Sequence, residues 1–281
     1  MPLGSWAPIF CGVMQGTWHP RFMVAFAAAY ASGWLSCQAE LSTAPHLTAL
    51  SYNVHYAVGM DGKTDLARIA RVIRDSKAGI VGLQEIGSKA MAKELGRLAG
   101  MPFVFGRSKE KDSQYGDAIL CRYPFTYVGN ESIPSASSSR YQAMAVDVDV
   151  SEVFGEGASV RFVNTHFDWL KTIGSQEARL AACQVIERAF FEDYDGPAIL
   201  AGDLNATPKS APLQRLKKLG WFFTDLGKPR LTIGAPKADR QIDYLLVRPQ
   251  RAWAVRKIQV MDEPVASDHL PITMTLSLQE R

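Results

Sequence analysis

The chain has 281 residues, 47% of them hydrophobic and 21% charged, with a formal net charge of +3. That content suffices for one large core or two small ones and argues against a disordered chain; a charge this close to balance excludes a protein held to polyanions by bulk charge alone. A local cluster such as Arg107, Lys109 and Lys111 can still meet phosphate, or stand as a solvated loop.

Residues 1–40 differ in kind from the rest. Arg21 precedes the apolar run FMVAFAAAYASGWLSC, whose length suits a signal-peptide core better than a membrane span. The reading is a leader over 1–40, with Met14 or Met23 nearer the start of translation, and one catalytic body over 41–281. It implies export to the periplasm or the exterior. Trp34, Leu35, Ser36 and Cys37 resemble a lipoprotein cleavage box with Trp34 an imperfect first position, so lipid anchoring at Cys37 stands beside simple cleavage near Ala39. Of the four cysteines, Cys11 and Cys37 fall in the leader. Cys121 and Cys183 remain, in a strand-like and a helix-like run, and read as two buried thiols rather than a bridge or a metal site.

The body opens with LTALSYNVHYA, a strand. TDLARIARVIRDSKAG follows with Leu66, Ile69, Ala70 and Ile73 at helical spacing, Thr64 as N-cap and Gly79 as stop. IVGLQEI is a second strand. The order strand, helix, strand recurs where the helical SQEARLAACQVIERAF precedes PAILAGDL, and APLQRLKKLG is a further helix. DAILCRYP, YQAMAVDVDV and SVRFVNTH arrive without a long helix between them, which predicts antiparallel pairing in part of an α/β fold with mixed sheets. Ile272, Met274, Leu276 and Leu278 alternate with polar residues, so a half-buried strand closes the domain.

Polar residues end or interrupt these apolar runs. In AILAGDLNATP, Asp203 falls where a buried strand leaves the core, and Asn205 points the same way if the strand alternation continues. Gly, Asp, Asn and Pro208 also spell a turn. Asn53, Glu85, His166, Asp268 and His269 sit in the same manner. Singly, each reads as a hydrogen-bonded structural residue. Several carboxylates at the ends of different strands read as one site, because buried uncompensated charge is costly and a divalent cation is the usual compensation.

The stretches SYNVH, LQEI, THFDW, GDLNATP, RQIDYLLV and SDHLP, in this order across residues 47–278, resemble the endonuclease/exonuclease/phosphatase superfamily. The resemblance implies a four-layer sandwich, two packed mixed β-sheets flanked by helices, with a divalent-metal site at one edge. By it, Glu85 is the principal metal ligand, Asn53 helps to hold metal and phosphate, and Asp268 contributes on the metal side; such oxygen donors suit Mg²⁺ or Mn²⁺. Asp203 takes the role of the acid that activates water, and Asn205 donates to a phosphoryl oxygen. His269 contacts phosphate with Asp243 as its partner, and His166 contacts it from the other side. Asp117 stands where many relatives carry Asn and is assigned either to His166, to a substrate oxygen or to structure.

The resemblance therefore implies a metal-dependent phosphodiesterase or nuclease, working as a monomer on a phosphate ester such as nucleic acid. The alternatives are a phosphatase, a sphingomyelinase-like lipid phosphodiesterase acting on phospholipid, and an inactive module that only binds phospholigands. His55 stands where many nucleases of the family have an acid, which leaves one metal or two open.

Overall fold

The computed structural model describes residues 44–109, 114–137, 141–223 and 230–279. The leader expected over 1–40, with Cys11 and Cys37, and Lys111 of the basic cluster lie outside them. Eleven strands form two mixed sheets. The first holds β1 (Leu47–Asn53), β2 (Ile80–Ile86), β3 (Phe103–Arg107), β4 (Gly116–Cys121), β10 (Trp253–Val260) and β11 (Ile272–Leu278), in the order β10-β11-β1-β2-β4-β3. The second runs β5-β6-β7-β8-β9, from β5 (Phe125–Ile133), β6 (Tyr141–Asp149) and β7 (Ser159–His166) to β8 (Ala198–Asp203) and β9 (Asp243–Arg248). Among the described residues, only β1–β2 and β7–β8 pair in parallel. Each of these pairs is joined through a helix, α1 (Leu66–Asp75) and α4 (Ile173–Phe191) respectively; α2 (Lys89–Ala99) lies between β2 and β3, the short α3 (Ser151–Phe154) between β6 and β7, and α5 (Ala211–Lys218) after β8.

Strand periodicity sorts the core into layers. Leu47, Ala49, Ile80 and Ile119 of the first sheet meet Val146, Phe162, Ile199 and Val247 of the second in one cluster between the sheets. Leu50, Tyr52, Val81 and Leu83, on the alternate positions, pack with Ile69, Ile73 and Leu95 of α1 and α2. Val163, Leu200 and Leu246 do the same against Ala182, Ile186 and Leu213 of α4 and α5. The result is the expected four-layer sandwich. Cys121 lies between the sheets and Cys183 on α4, both buried and unbridged. No helix among the described residues is long and apolar enough to cross a membrane.

Local chemistry moves several predicted boundaries. Thr64 is occupied in a β-bridge with Val58, so the cap of α1 falls to Asp65, whose carboxylate accepts the Arg68 N–H at 2.9 Å. Gly79 lies four residues past the end of α1 and is needed for closeness: a Cβ there would meet the Tyr123 ring at 2.4 Å. Strand β1 ends at Asn53, and VHYA turns out of the sheet. Helix α2 and strands β3, β5 and β10, which periodicity alone did not single out, complete the edges and the outer layer.

Gly202 allows β7 and β8 to close on each other just before the site. A Cβ at this position would stand 2.1 Å from the Thr165 carbonyl oxygen, backbone that cannot swing aside. Gly202→Ala is expected to cost about 3 kcal/mol through overpacking and to lower the thermal midpoint by roughly 5–10 °C. An unchanged melting curve would mean that the two strands part freely here.

Candidate active site

Three neighbouring strands of the second sheet end in one row of polar side chains. In register, His166 of β7 stands opposite Asp203 of β8, which stands opposite Asp243 of β9. All three occupy positions of the face that packs between the sheets, where the apolar filling gives out, and all are buried. Asn53 ends β1 on the facing sheet and closes the gap: its Nδ2 donates to Asp203 Oδ2 at 3.2 Å and to Glu85 Oε1 at 3.0 Å. His269 enters from the segment before β11. Its N–H donates to Ser267 Oγ at 3.2 Å, and the Ser267 hydroxyl donates to the Asn53 carbonyl, tying that segment to the end of β1.

Glu85 reaches this site through a break in the strand pattern. By alternation it belongs with Val81 and Leu83 on the helix-facing side, but its φ is 58° and the β2–β4 register slips between Leu83 and Ile86. The irregularity turns the carboxylate to Asn53 and sends Ile86 to the helix side instead. The floor beneath is polar and cross-linked. Asn164 of β7 donates through Nδ2 to the Leu83 and Ala118 carbonyls at 3.0 Å each and accepts from Gln84 Nε2 at 2.6 Å.

Asp203 and Asn205 form both the turn and the site. The Asn205 N–H donates to Asp203 Oδ1 at 2.9 Å, an Asx-turn, and Asn205 is left-handed with φ 46°. Strand alternation therefore does not aim Asn205, since β8 has already ended; the turn does. Its Nδ2 donates to the Phe167 carbonyl at 3.0 Å and approaches His166 Nε2 at 3.2 Å.

The two histidines differ in charge. Burial, and then the nearby His269, pull His166 down to about 3, so it is a neutral imidazole. Tyr115 Oη lies 3.1 Å from its Nδ1. For His269 burial also works against the cation, but Asp243 and Asp203 outweigh it and hold the group at about 10. Asp243 clasps its Nδ1 with both oxygens, at 2.9 and 3.1 Å. Its Nε2 faces Asp203 Oδ2 at 3.7 Å. Asp203 itself is pushed up by burial and by Asp243, with His269 opposing. It is a poorly compensated carboxylate with proton affinity near the neutral range.

Oxygen donors suited to a cation gather on the other flank. Glu85 is raised by burial against its bond from Asn53, and it feels the negative charge of Asp268. Asp268 remains partly exposed and faces His55 Nδ1 at 3.8 Å. A partly buried carboxylate that a neutral amide, His269 and His55 relieve only in part, with a second carboxylate near, fits a hard divalent ion. Asp203, Asp243 and His269 also offer ligand atoms within 4.8 Å of one another. A protonated imidazole has no lone pair to give, however, so that trio lacks one of its three ligand atoms as charged, whereas Glu85 and Asp268 offer oxygens ready to bind. Asn53 turns its nitrogen to Glu85 while its Oδ1 accepts the His55 N–H at 3.1 Å, so as arranged it positions Glu85.

The site thus draws together Asn53, Glu85, His166, Asp203, Asn205, Asp243, Asp268 and His269. Asp117 stays in the floor, fully buried and raised well above the carboxylate range by burial, accepting from Gln142 Nε2 at 2.8 Å. The contact to His166 considered for Asp117 is made by Tyr115, two residues earlier on the same face of the chain. Asp168 of THFDW had no assigned role. It accepts from the N–H groups of Ala136, Ser137 and Leu170 and from the hydroxyls of Ser135 and Ser175, fastening the segment after β5 to the start of α4. Burial opposes its charge, but these bonds hold it down at about 2.

Comparison with known proteins adds one family and a set of folds. The model of the endonuclease/exonuclease/phosphatase family matches residues 50–269. Among solved structures, the chain is similar to an endonuclease/exonuclease/phosphatase from Beutenbergia cavernae, at 24% identity over 83% of this chain and 72% of that one, TM-score 0.68. It is also similar to a mannosyl-6-phosphatase of Bacteroides thetaiotaomicron, at 19% identity over 82% and 99% of the two chains, TM-score 0.65. The catalytic domain of human Nocturnin matches at 19% identity over 84% and 94%, TM-score 0.63. At these identities the likeness is one of fold. No protein of curated function matches in sequence.

Proposed function

The chain belongs to the endonuclease/exonuclease/phosphatase family and is a hydrolase of phosphate esters, and from that premise we propose that it is a phosphodiesterase of the nuclease type, dependent on Mg²⁺ or Mn²⁺. The observation that carries the reading is the row of His166, Asp203 and Asp243 with His269 across it: a buried, basic carboxylate between a neutral and a cationic imidazole.

Asp203 takes the proton of the attacking water. Its Oδ1 is fixed by the Asn205 N–H, leaving Oδ2 to face the reacting groups. His269, kept protonated by Asp243, donates through Nε2 to a phosphoryl oxygen as charge develops. One Asn205 amide hydrogen is spent on the Phe167 carbonyl; the other, directed at His166, turns to a second phosphoryl oxygen. His166 can then donate from Nε2, because the Tyr115 hydroxyl serves equally as donor or acceptor to Nδ1 and allows either tautomer. Glu85 and Asp268 would hold the cation, with Asn53 keeping Glu85 in place. A divalent ion there supplies positive charge that neutralises phosphoryl oxygens and lowers the pKa of water.

A phosphomonoesterase is the second reading, drawn from the likeness to the mannosyl-6-phosphatase. The experiment offers residues 41–281 plasmid DNA, single-stranded DNA, RNA, sphingomyelin, sugar phosphates and a chromogenic diester, each with Mg²⁺, Mn²⁺, Ca²⁺ or EDTA. Turnover of nucleic acid with Mg²⁺ or Mn²⁺, lost in EDTA, is expected. Turnover of monoesters alone would replace this reading with the second, of sphingomyelin alone with a lipid phosphodiesterase, and full activity in EDTA would remove the metal.

A further inference from the structure

We propose that Tyr56 stacks on a nucleobase of the substrate, with the Tyr115 ring forming the edge of the same platform; the proposal rests on the phosphodiesterase reading above and names what that site recognises. The starting observation is strain. His55, Tyr56 and Ala57 stand consecutively in the left-handed region, with φ of 45°, 55° and 60°. Residues with a Cβ seldom adopt it even singly, and glycine would adopt it without steric cost. The turn persists because it is tied at every step: His55 N–H to Asn53 Oδ1, Ala57 N–H to the Val54 carbonyl, Val58 N–H to His55, and Asp65 N–H to Ala57. A bulky aromatic in such a turn, where a small residue fits better, points to a use for the ring.

That use is not core packing. The Tyr56 side chain is half-exposed, at 44%, whereas Tyr52 and Val54 before it are fully buried. Its ring lies 5.8 Å from Tyr115 at 45° between planes, and Tyr115 in turn bonds His166. On the Glu85 side it closes over Gly87, where a Cβ would come within 3.5 Å of Tyr56 Cδ1. His55, next in the chain, faces Asp268. The ring therefore stands at the mouth of the phosphoryl site, between the proposed cation ligands and the phosphate-contacting histidine, with a face open to solvent. An open aromatic face beside a phosphate site recognises a flat group joined to that phosphate, and every nucleobase has such a face.

The test compares a short oligothymidylate with an oligomer of equal length built from abasic tetrahydrofuran units, which keeps the phosphodiesters and removes the bases. The ratio of kcat/KM values is measured with metal, and the ratio of affinities by fluorescence anisotropy on the metal-free protein in EDTA. Wild type is expected to prefer the oligothymidylate in both. Tyr56→Ala should lose about 5- to 100-fold of that preference, the scale of one base–aromatic stack, and Tyr56→Phe should keep it. Tyr56→Gly separates recognition from a structural role: it should raise the thermal midpoint by relieving the turn and still lose the preference. Cleavage of both oligomers alike, or a preference that survives in Tyr56→Gly, overturns the stacking proposal and leaves the phosphodiesterase reading standing. Cleavage of neither oligomer overturns both.

Discussion

Replacing Asp203 with Asn should reduce turnover by about 10²- to 10⁴-fold, the usual cost of losing a general base, while the thermal midpoint stays unchanged or rises. The second half of this expectation comes from the electrostatics of the row. Asp203 is buried opposite Asp243 in the β8–β9 register, and both burial and Asp243 make its charge unfavourable. The amide removes that charge and keeps an oxygen for the Asn205 N–H, so the Asx-turn survives; the 3.2 Å bond from Asn53 Nδ2 to Oδ2 is given up, and Asn53 keeps its bond to Glu85. His269 retains Asp243 as its counter-ion. A catalytic carboxylate thus destabilises the fold it sits in, and its removal separates stability from rate. The measurement pairs steady-state kinetics on the diester with thermal unfolding followed by circular dichroism. Near-full turnover would reduce Asp203 to a turn residue and end its assignment as the base.

The site was legible in the sequence where regular strands deliver it. Asp203 and His166 follow directly from apolar alternation that runs on for one residue too many, whereas Asp243, the first residue of its strand, is named only by the family resemblance. Asn53 ends β1 in the same way. Such residues stand out because a core strand should not finish on a buried acid or amide unless something balances it. What periodicity could not show lies where the backbone leaves the pattern. Glu85 is noticed as an acid that interrupts an apolar run, but alternation places it on the helix-facing side, and the bulge that re-aims it has no signal in IVGLQEI. Asn205 was expected in the site for the wrong geometric reason. Tyr56 and Tyr115 carry no motif at all; their importance comes from strain and from proximity across chain segments. Tyr115 had one available signal, its place two residues before Asp117 on the same face. Helix α2 escaped notice because the irregular Glu85–Gly87 corner hides where strand ends and helix begins, although Ser88 caps it and Gly100 stops it as a sequence should.

Glu85→Gln should fail in a different way from Asp203→Asn. Gln keeps an oxygen for Asn53 Nδ2, so the bulge and the fold are expected to hold. What disappears is a negative charge that burial makes reluctant and that a divalent cation would satisfy. The metal concentration giving half-maximal turnover should rise by at least about 10- to 100-fold, a loss typical even of groups that merely support a ligand. Calorimetric titration of the substrate-free protein with Mg²⁺ or Mn²⁺ should show the same weakening, which keeps affinity apart from rate. Excess metal should then restore much of the turnover of Glu85→Gln and none of that of Asp203→Asn, because only the first variant lacks a ligand and only the second lacks the base. Unchanged metal titrations for Glu85→Gln would move the cation away from Glu85 and Asp268. The remaining cluster of suitable atoms, Asp203, Asp243 and His269, would then have to surrender the imidazole proton to bind it, and that exchange would appear as a proton released on metal binding.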